Sequence, residues 1–129
     1  MAENLQQIVY IEDDNEMIEL VKLILARHGY QVHGAEGGQE GWELVQELVP
    51  DLVLLDLMMP GVDGWEVYHN IRGDEATKHI PVVVITAKAQ DIDRVLGLHV
   101  AKVDDYITKP FRPEDLVESV NRVLASEDA

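Results

Sequence analysis

The sequence places polar and charged side chains directly after several of its short apolar runs. In chain order these residues are Glu12, Asp13, Asp14, Asp56, Thr86 and Lys109. Carboxylates that converge repel one another unless a cation joins them. Because the chain has no cysteine, a set of oxygen ligands suits Mg²⁺ better than Zn²⁺. These residue types therefore indicate a site for a hard divalent cation, beside a hydroxyl group and a fixed positive charge.

Taken singly, each of these residues has an ordinary structural explanation. Asp14 is a good N-cap for a following helix, and a lone aspartate such as Asp56 is common after a strand. Threonine is a frequent turn former, and a lysine such as Lys109 is usually a solvated surface charge. Their joint occurrence at successive strand ends is what favours a functional site.

The stretches between these residues predict strands alternating with helices. The predicted strands are residues 8–11, 31–35, 52–55, 82–85 and 105–108. Such alternation is typical of an α/β protein with a doubly wound, five-stranded parallel sheet and helices on both faces. The near-continuous apolar run at 52–55 suits a strand that is covered on both sides. The carboxyl ends of parallel strands meet at one edge of the sheet, where ligands bind, so the polar residues are expected there.

Five helices are predicted from apolar spacing and from stop signals. The first covers about residues 15 to 28 before Gly29, and the second has a face of Leu44, Val45, Leu48 and Val49 ended by Pro50. A third contains Trp65, Tyr68 and Ile71 after a loop at 59–64, and a fourth runs from about 91 to 101. Pro113 opens the last helix, with a face of Leu116, Val117, Val120, Val123 and Leu124 before a frayed tail.

Length and charge exclude several classes of protein. A chain of 129 residues is expected to form one domain, and its 10 basic against 25 acidic residues give a net charge of −15. This surplus repels phosphate backbones and anionic lipid, so direct nucleic-acid binding is not expected. No apolar run approaches the roughly 20 residues that cross a bilayer, and the N-terminus lacks signal-peptide features. The sequence predicts a cytoplasmic protein without membrane insertion.

Four segments of the sequence share residue types, order and spacing with one known family. They are residues 11–14, 51–64, 80–87 and 104–111. Together they resemble the receiver domain of two-component response regulators, of the single-domain type found in chemotaxis. The resemblance covers about residues 7 to 125 and implies one receiver domain over 1–129, with no output domain in this chain. It also implies a flavodoxin-like strand order, 2-1-3-4-5.

The resemblance implies a role for each matching acidic residue. Asp56 would be the phosphoacceptor, taking a phosphoryl group from a phosphohistidine of a histidine kinase or a histidine phosphotransfer protein. Glu12, Asp13, Asp56 and the backbone carbonyl of Met58 would hold Mg²⁺. The protein would then be a phosphorelay switch that assists its own phosphotransfer and dephosphorylation, acting on an unknown downstream protein, and it would not be an enzyme.

The resemblance also implies a cation and a switch. Lys109 would neutralise charge on the phosphoryl oxygens, aimed into the site by a cis bond to Pro110. Thr86 would turn its hydroxyl toward the phosphoryl group, and Tyr106 would move inward into the space that is vacated.

Four positions depart from or refine the family pattern. Lys102-Val103 stands where the family usually has Gly-Ala, so the helix before the last strand is expected to end differently. Met58 and Lys88 occupy positions that, in the family this sequence resembles, tune removal of the phosphoryl group by water. Because an apolar Met58 cannot orient a water molecule by hydrogen bonding, slow self-dephosphorylation is expected.

Three other functions fit parts of the pattern less well. A phosphatase with an aspartyl nucleophile usually needs a second acid two residues later, where this chain has Met58. A flavin or nucleotide module should offer hydroxyls or glycines to phosphate in its first loop, and residues 12–16 offer mostly carboxylates. A degenerate receiver that binds partners without being phosphorylated stays open, although its site residues are intact.

Overall fold

The predicted sheet is present and has the expected order. The computed structural model describes residues 5–59, 64–87 and 103–128 of the chain. Within these ranges, five parallel strands form one sheet in the order β2-β1-β3-β4-β5. The strands are β1 (Gln6–Ile11), β2 (Tyr30–Ala35), β3 (Leu52–Asp56), β4 (Val82–Thr86) and β5 (Asp105–Thr108). The predicted fold class and strand order are confirmed.

In the part of the chain that the structure describes, four helices cover the two faces of the sheet in pairs. They are α1 (Asn15–Ala26), α2 (Gly38–Leu48), α3 (Gly64–Gly73) and α4 (Pro113–Asp128). The buried side chains of α1 and α4 share one apolar core with the sheet, and those of α2 and α3 share the other. Among the helices that the structure describes, none is both long and apolar enough to span a bilayer.

The strand sequences are apolar on both sides because both faces of the sheet are covered. In β1, Ile8 and Tyr10 contribute to the core under α1 and α4, whereas Val9 and Ile11 contribute to the core under α2 and α3. This alternation follows from successive side chains pointing to opposite faces of a strand. Every residue of β3 and β4 is buried, and for β3 this confirms the prediction from the apolar run at 52–55.

The predicted signals at the two ends of α1 are confirmed. The carboxylate of Asp14 accepts hydrogen bonds from the backbone N–H groups of Glu16 and Met17, so Asp14 is the N-cap. Gly29 has a φ of +86°, a left-handed conformation that glycine adopts without steric cost. The chain therefore turns there from α1 into β2.

Two predictions about helix ends are wrong. Val49 was predicted on the buried face of α2, but it follows the last helical residue with a φ of 43° and is exposed. Its N–H still bonds to Val45 O at 2.9 Å, so the turn is capped by a left-handed residue and not simply stopped by Pro50. The residues after Leu124 were predicted to fray, yet α4 continues to Asp128.

Some predictions fall outside the described residues. These are the helix at about 91–101, the loop residues 60–63, Lys88 and the helix end at Lys102.

Gly41 of α2 allows a close approach to the end of β1, and its substitution tests that packing. A Cβ at this position would lie 2.6 Å from Ile11 Cγ1 and within 2.8 Å of two further Ile11 carbons. Gly41→Ala should lower the free energy of unfolding by roughly 1–3 kcal/mol through overpacking. Urea denaturation measures the change. The control is Gly73→Ala, where a Cβ meets nothing within 4 Å; equal loss in both variants would contradict this explanation.

Candidate functional site

Three carboxylates meet at the carboxyl edge of the sheet. Glu12 and Asp13 directly follow β1, and Asp56 is the last residue of the neighbouring strand β3. One oxygen of each lies within 4.8 Å of the others, and Glu12 and Asp56 are buried whereas Asp13 is exposed. The backbone N–H of Glu12 donates to Ala35 O at 3.0 Å, which keeps this residue in line with the sheet. The predicted convergence of these acids is therefore present.

Glu12 is the best satisfied of the three carboxylates. Its Oε1 accepts hydrogen bonds from Lys109 Nζ at 2.6 Å and from the Tyr10 hydroxyl at 2.8 Å. Its Oε2 accepts from the backbone N–H of Asp14 at 3.2 Å. Burial of Glu12 (1% exposed) raises the pKa of its carboxyl group, but the hydrogen bonds it accepts, above all from Lys109, outweigh burial. The pKa of Glu12 is thus held below its ordinary value.

Asp56 is equally buried, at 2% exposed, but is less well compensated. Its Oδ1 accepts from the backbone N–H of Met58 at 2.9 Å, and its Oδ2 lies 3.3 Å from Lys109 Nζ. Burial raises the pKa of Asp56 to about 6, the Met58 N–H opposes this shift, and the neighbouring Glu12 carboxyl group adds to it. Asp56 is therefore mostly ionised at neutral pH, at a cost to the folded state.

Lys109 lies between these two carboxylates and is positioned by β4 and β5. It follows β5, its backbone N–H donates to Thr86 O at 2.8 Å, and its peptide bond to Pro110 is cis. Burial lowers the pKa of Lys109, but the neighbouring Glu12 and Asp56 raise it by a larger amount. The net shift of the pKa is therefore upward. Lys109 is a permanent cation in this site.

The donor set fits a divalent metal ion. With all four groups ionised, three carboxylates against one ammonium leave two negative charges uncompensated. The available ligand atoms are all oxygens, which is the chemistry that Mg²⁺ and Ca²⁺ prefer. A divalent cation would balance this charge.

The remaining predicted site residues lie on the neighbouring strands. Thr86 is buried at the end of β4, and Tyr106 in β5 is 43% exposed. In the sheet register Asp56 is paired with Ile85, Thr86 with Thr108, and Tyr106 with Val84. The structure therefore places Thr86 one residue past the partner of Asp56, while Tyr106 faces solvent.

Sequence reasoning missed one residue of the site, Tyr10. This tyrosine is fully buried in β1 and donates its hydroxyl hydrogen bond to Glu12. The available signal was its spacing, because residues two apart in a strand point to the same side. A hydroxyl-bearing residue within an otherwise aliphatic strand, two positions before a buried acid, indicates a hydrogen-bond partner for that acid.

Comparison with known proteins gives consistent results. The family model described as the response regulator receiver domain matches residues 8–121. The DNA-binding response regulator MtrA of Mycobacterium tuberculosis is 40% identical over 95% of this chain and 52% of its own length. The DNA-binding dual master transcriptional regulator RpaA of Synechocystis is 41% identical over 95% of this chain and 50% of its own length.

A solved structure adds a bound metal ion to this comparison. It is the receiver domain of the sensor histidine kinase PA1611 of Pseudomonas aeruginosa, with a magnesium ion coordinated in its active-site cleft. It superposes with a TM-score of 0.84 at 27% identity, covering 94% of this chain and 98% of that one. The acidic cluster described above is consistent with a site of that kind.

The expectation of no nucleic-acid partner is wrong. The matched relatives MtrA and RpaA are named as DNA-binding regulators, and the chain spans about half the length of these curated relatives. The expectation rested on the net charge of −15. That charge describes these 129 residues alone, whereas MtrA and RpaA are about twice as long.

The unfavourable ionisation of Asp56 predicts that removing its charge stabilises the fold. The folded-state pKa of about 6 lies above the ordinary 3.8, so stability is lost as the pH rises from 3.8 through 6. Asp56→Asn should therefore raise the free energy of unfolding at about pH 7.5 by roughly 1–3 kcal/mol. This gain should shrink as the pH falls towards 5, as measured by urea denaturation without divalent metal.

Glu47→Gln is the matched control, because it removes one exposed charge from α2. Its effect should stay within about 0.5 kcal/mol at every pH. An Asp56→Asn protein that is less stable than the parent at about pH 7.5 would contradict the explanation.

Proposed function

We infer that this protein is a phosphorylation-activated signalling switch, because the chain belongs to the response regulator receiver domain family. Members of this family are signalling domains and not classical enzymes. The observation that carries the proposal is the cluster itself, in which Glu12, Asp13 and Asp56 converge and Lys109 bridges two of them.

Asp56 is proposed as the phosphoacceptor. Its carboxylate is mostly ionised at neutral pH, since its pKa is about 6, and a carboxylate is a nucleophile only in that form. One of its oxygens would form a bond to phosphorus while the bond from phosphorus to the imidazole nitrogen of a partner phosphohistidine breaks. The imidazole leaves with the electron pair. Burial of Asp56 keeps competing water away from this exchange.

Charge neutralisation is proposed for Lys109 and for a bound cation. Phosphoryl transfer spreads negative charge over the equatorial oxygens, and preorganised cations stabilise it. Lys109 Nζ already lies 3.3 Å from Asp56 Oδ2, so it is positioned to contact a phosphoryl group on that residue. When bound by Glu12, Asp13, Asp56 and the Met58 carbonyl, Mg²⁺ supplies further positive charge there.

Thr86 and Tyr106 are proposed as the switch. Thr86 would donate its hydroxyl hydrogen bond to the phosphoryl group, and Tyr106 would rotate from solvent into the space that Thr86 leaves. The supporting observations are that Thr86 is buried beside the site, that Tyr106 is exposed, and that β4 and β5 are adjacent. The change would alter the surface around β5, which is where an output partner reads the signal.

The domain is proposed to control an activity that its own described residues do not carry out. The described residues form one sheet with one pair of cores, and the family match spans 8–121. MtrA and RpaA are named DNA-binding regulators, and we propose control of DNA binding as the output of this switch as well. A cytoplasmic location agrees with such a role.

The first test is the intact mass of the protein after incubation with acetyl phosphate and Mg²⁺. One added phosphoryl group is expected, because Asp56 is a buried nucleophile beside a metal site and a fixed cation. Asp56→Asn and a metal-free sample are the controls, and neither should gain mass. No gain with this donor or with a phosphorylated histidine kinase would favour the degenerate receiver. A gain that persists in Asp56→Asn would place the acceptor elsewhere.

The second test concerns how long the phosphoryl group persists. Met58 is exposed next to the acceptor and cannot orient a water molecule by hydrogen bonding. The phosphorylated protein, freed of donor, should therefore decay over minutes or longer, and Met58→Asn should accelerate the decay by about tenfold through one positioned water. Mass spectrometry over time measures both. Loss within seconds from the unmodified protein, or no acceleration in the variant, would contradict this role of Met58.

A further inference from the structure

The carboxylate of Glu12, one of the proposed Mg²⁺ ligands, is held by three hydrogen-bond donors. Its Oε1 accepts from the Tyr10 hydroxyl at 2.8 Å and from Lys109 Nζ at 2.6 Å. Its Oε2 accepts from the backbone N–H of Asp14 at 3.2 Å. Because both oxygens are engaged and the residue is buried, the carboxylate has one fixed orientation.

The Tyr10 hydroxyl differs from the other two donors in what else it holds. Lys109 Nζ also lies 3.3 Å from Asp56 Oδ2, and Asp14 donates through its backbone. In the part of the chain that the structure describes, the Tyr10 hydroxyl bonds to Glu12 alone. Removal of this hydroxyl therefore changes one bond of Glu12 and leaves the aromatic ring in the core.

The core around Tyr10 keeps its hydroxyl in place. Tyr10 is fully buried and belongs to the core under α1 and α4. Its neighbours in the sheet register are Gly34 of β2 and Leu54 of β3. Ile18 of α1 covers Gly34 so closely that a Cβ there would lie 2.4 Å from Ile18 Cγ2. Interiors packed in this way leave a ring little freedom, so the donor is preorganised.

A glutamate ligand gains more from such support than an aspartate ligand does. Its side chain has one more rotatable bond, and fixing each bond costs conformational entropy. Mg²⁺ requires ligands close to octahedral positions, whereas Ca²⁺ accepts a flexible arrangement of ligands. A carboxylate that is already fixed therefore favours Mg²⁺ over Ca²⁺.

We propose that Tyr10 is a positioning residue for the metal site and that it acts through Glu12. Its hydroxyl holds the Glu12 carboxylate in the orientation in which the cluster of Glu12, Asp13 and Asp56 binds Mg²⁺. Tyr10 is not itself a ligand in this proposal. The inference rests on the proposed Mg²⁺ site and adds a residue from outside its ligand set.

The need to satisfy a buried hydroxyl does not by itself account for this contact. A buried tyrosine usually finds a partner for its hydroxyl, and Tyr30 is such a case. Tyr30 begins β2 at the opposite edge of the sheet, and its hydroxyl donates to Asn121 of α4. The Tyr10 hydroxyl instead donates to a buried acid of the metal-binding cluster.

Metal titrations of the unphosphorylated protein test this role. MgCl₂ and CaCl₂ are added separately to metal-free protein, and dissociation constants are obtained from the amide NMR shifts of residues 10–14. Tyr10→Phe should weaken Mg²⁺ binding about tenfold, as expected when a metal ligand loses its hydrogen-bond partner. Ca²⁺ binding should weaken by at most about threefold, because Ca²⁺ tolerates a displaced carboxylate.

Tyr30→Phe is the matched control. It removes the same hydroxyl from a buried tyrosine of the same core. Both phenylalanine variants should have a lower melting temperature than the parent, because each leaves a hydrogen-bond acceptor without its partner. Tyr30→Phe should nevertheless keep the parent's affinity for both metal ions. The comparison separates a hydrogen bond that supports the fold from one that positions a ligand.

A second background shows whether Tyr10 acts through Glu12. Glu12→Asp keeps a carboxylate but shortens the side chain by one methylene group, which withdraws the acid from the Tyr10 hydroxyl. In this background, Tyr10→Phe should change the Mg²⁺ affinity by less than about twofold, so the two substitutions are strongly non-additive.

Several results would overturn the proposal. Unchanged Mg²⁺ affinity in Tyr10→Phe, with a parent protein that binds Mg²⁺, removes the role of Tyr10 and leaves the proposed metal site intact. Equal weakening for Mg²⁺ and Ca²⁺, or the same loss in the Glu12→Asp background, shows a general loosening of the core. A parent protein that binds no Mg²⁺ overturns the metal site itself and this inference with it.

Discussion

The structure is organised around a buried negative charge that its own residues only partly neutralise. Glu12 and Asp56 are both almost fully buried, and one ammonium group, that of Lys109, lies between them. Burying a carboxylate is costly unless it is hydrogen-bonded and paired. The chain meets this constraint unequally: Glu12 accepts three hydrogen bonds, whereas Asp56 accepts one from the backbone and one long bond from Lys109. The pKa of Glu12 is lowered and that of Asp56 is raised to about 6 as a result.

The sheet order is what brings these groups together from distant parts of the sequence. Because β3 lies between β1 and β4, Asp56 has the β1 carboxylates on one side and the strands that carry Thr86 and Lys109 on the other. Lys109 lies 97 positions from Glu12 along the chain and still donates to it at 2.6 Å. The hydrogen bond from the Lys109 backbone N–H to Thr86 O holds the backbone from which this side chain extends. A change of charge at Asp56 therefore acts directly on Glu12 and on Lys109, which follow β1 and β5.

The sequence allowed the sheet and the site positions to be predicted, because both depend on local patterns and on one general property of parallel sheets. The apolar runs before Glu12, Asp56 and Thr86 identify buried strands, and their carboxyl ends must share an edge. Contacts that depend on three-dimensional packing were not accessible in this way. Tyr10 was assigned only to the strand at 8–11, and Val49 was placed on a helix face because periodicity does not show where a helix adopts its left-handed cap. The nucleic-acid expectation failed for another reason, since the charge of one domain does not limit the protein in which that domain occurs.

The same cluster also supports the first turn of α1. Glu12 Oε2 accepts from the backbone N–H of Asp14, and the carboxylate of Asp14 accepts from the N–H groups of Glu16 and Met17. Two consecutive hydrogen-bonded steps thus connect the buried acid to the first turn of α1. On the opposite side, Lys109 donates to the same acid from the position directly after β5, three residues after Tyr106. Because Glu12 accepts both hydrogen bonds, the start of α1 and the residue after β5 are connected through the same buried carboxylate.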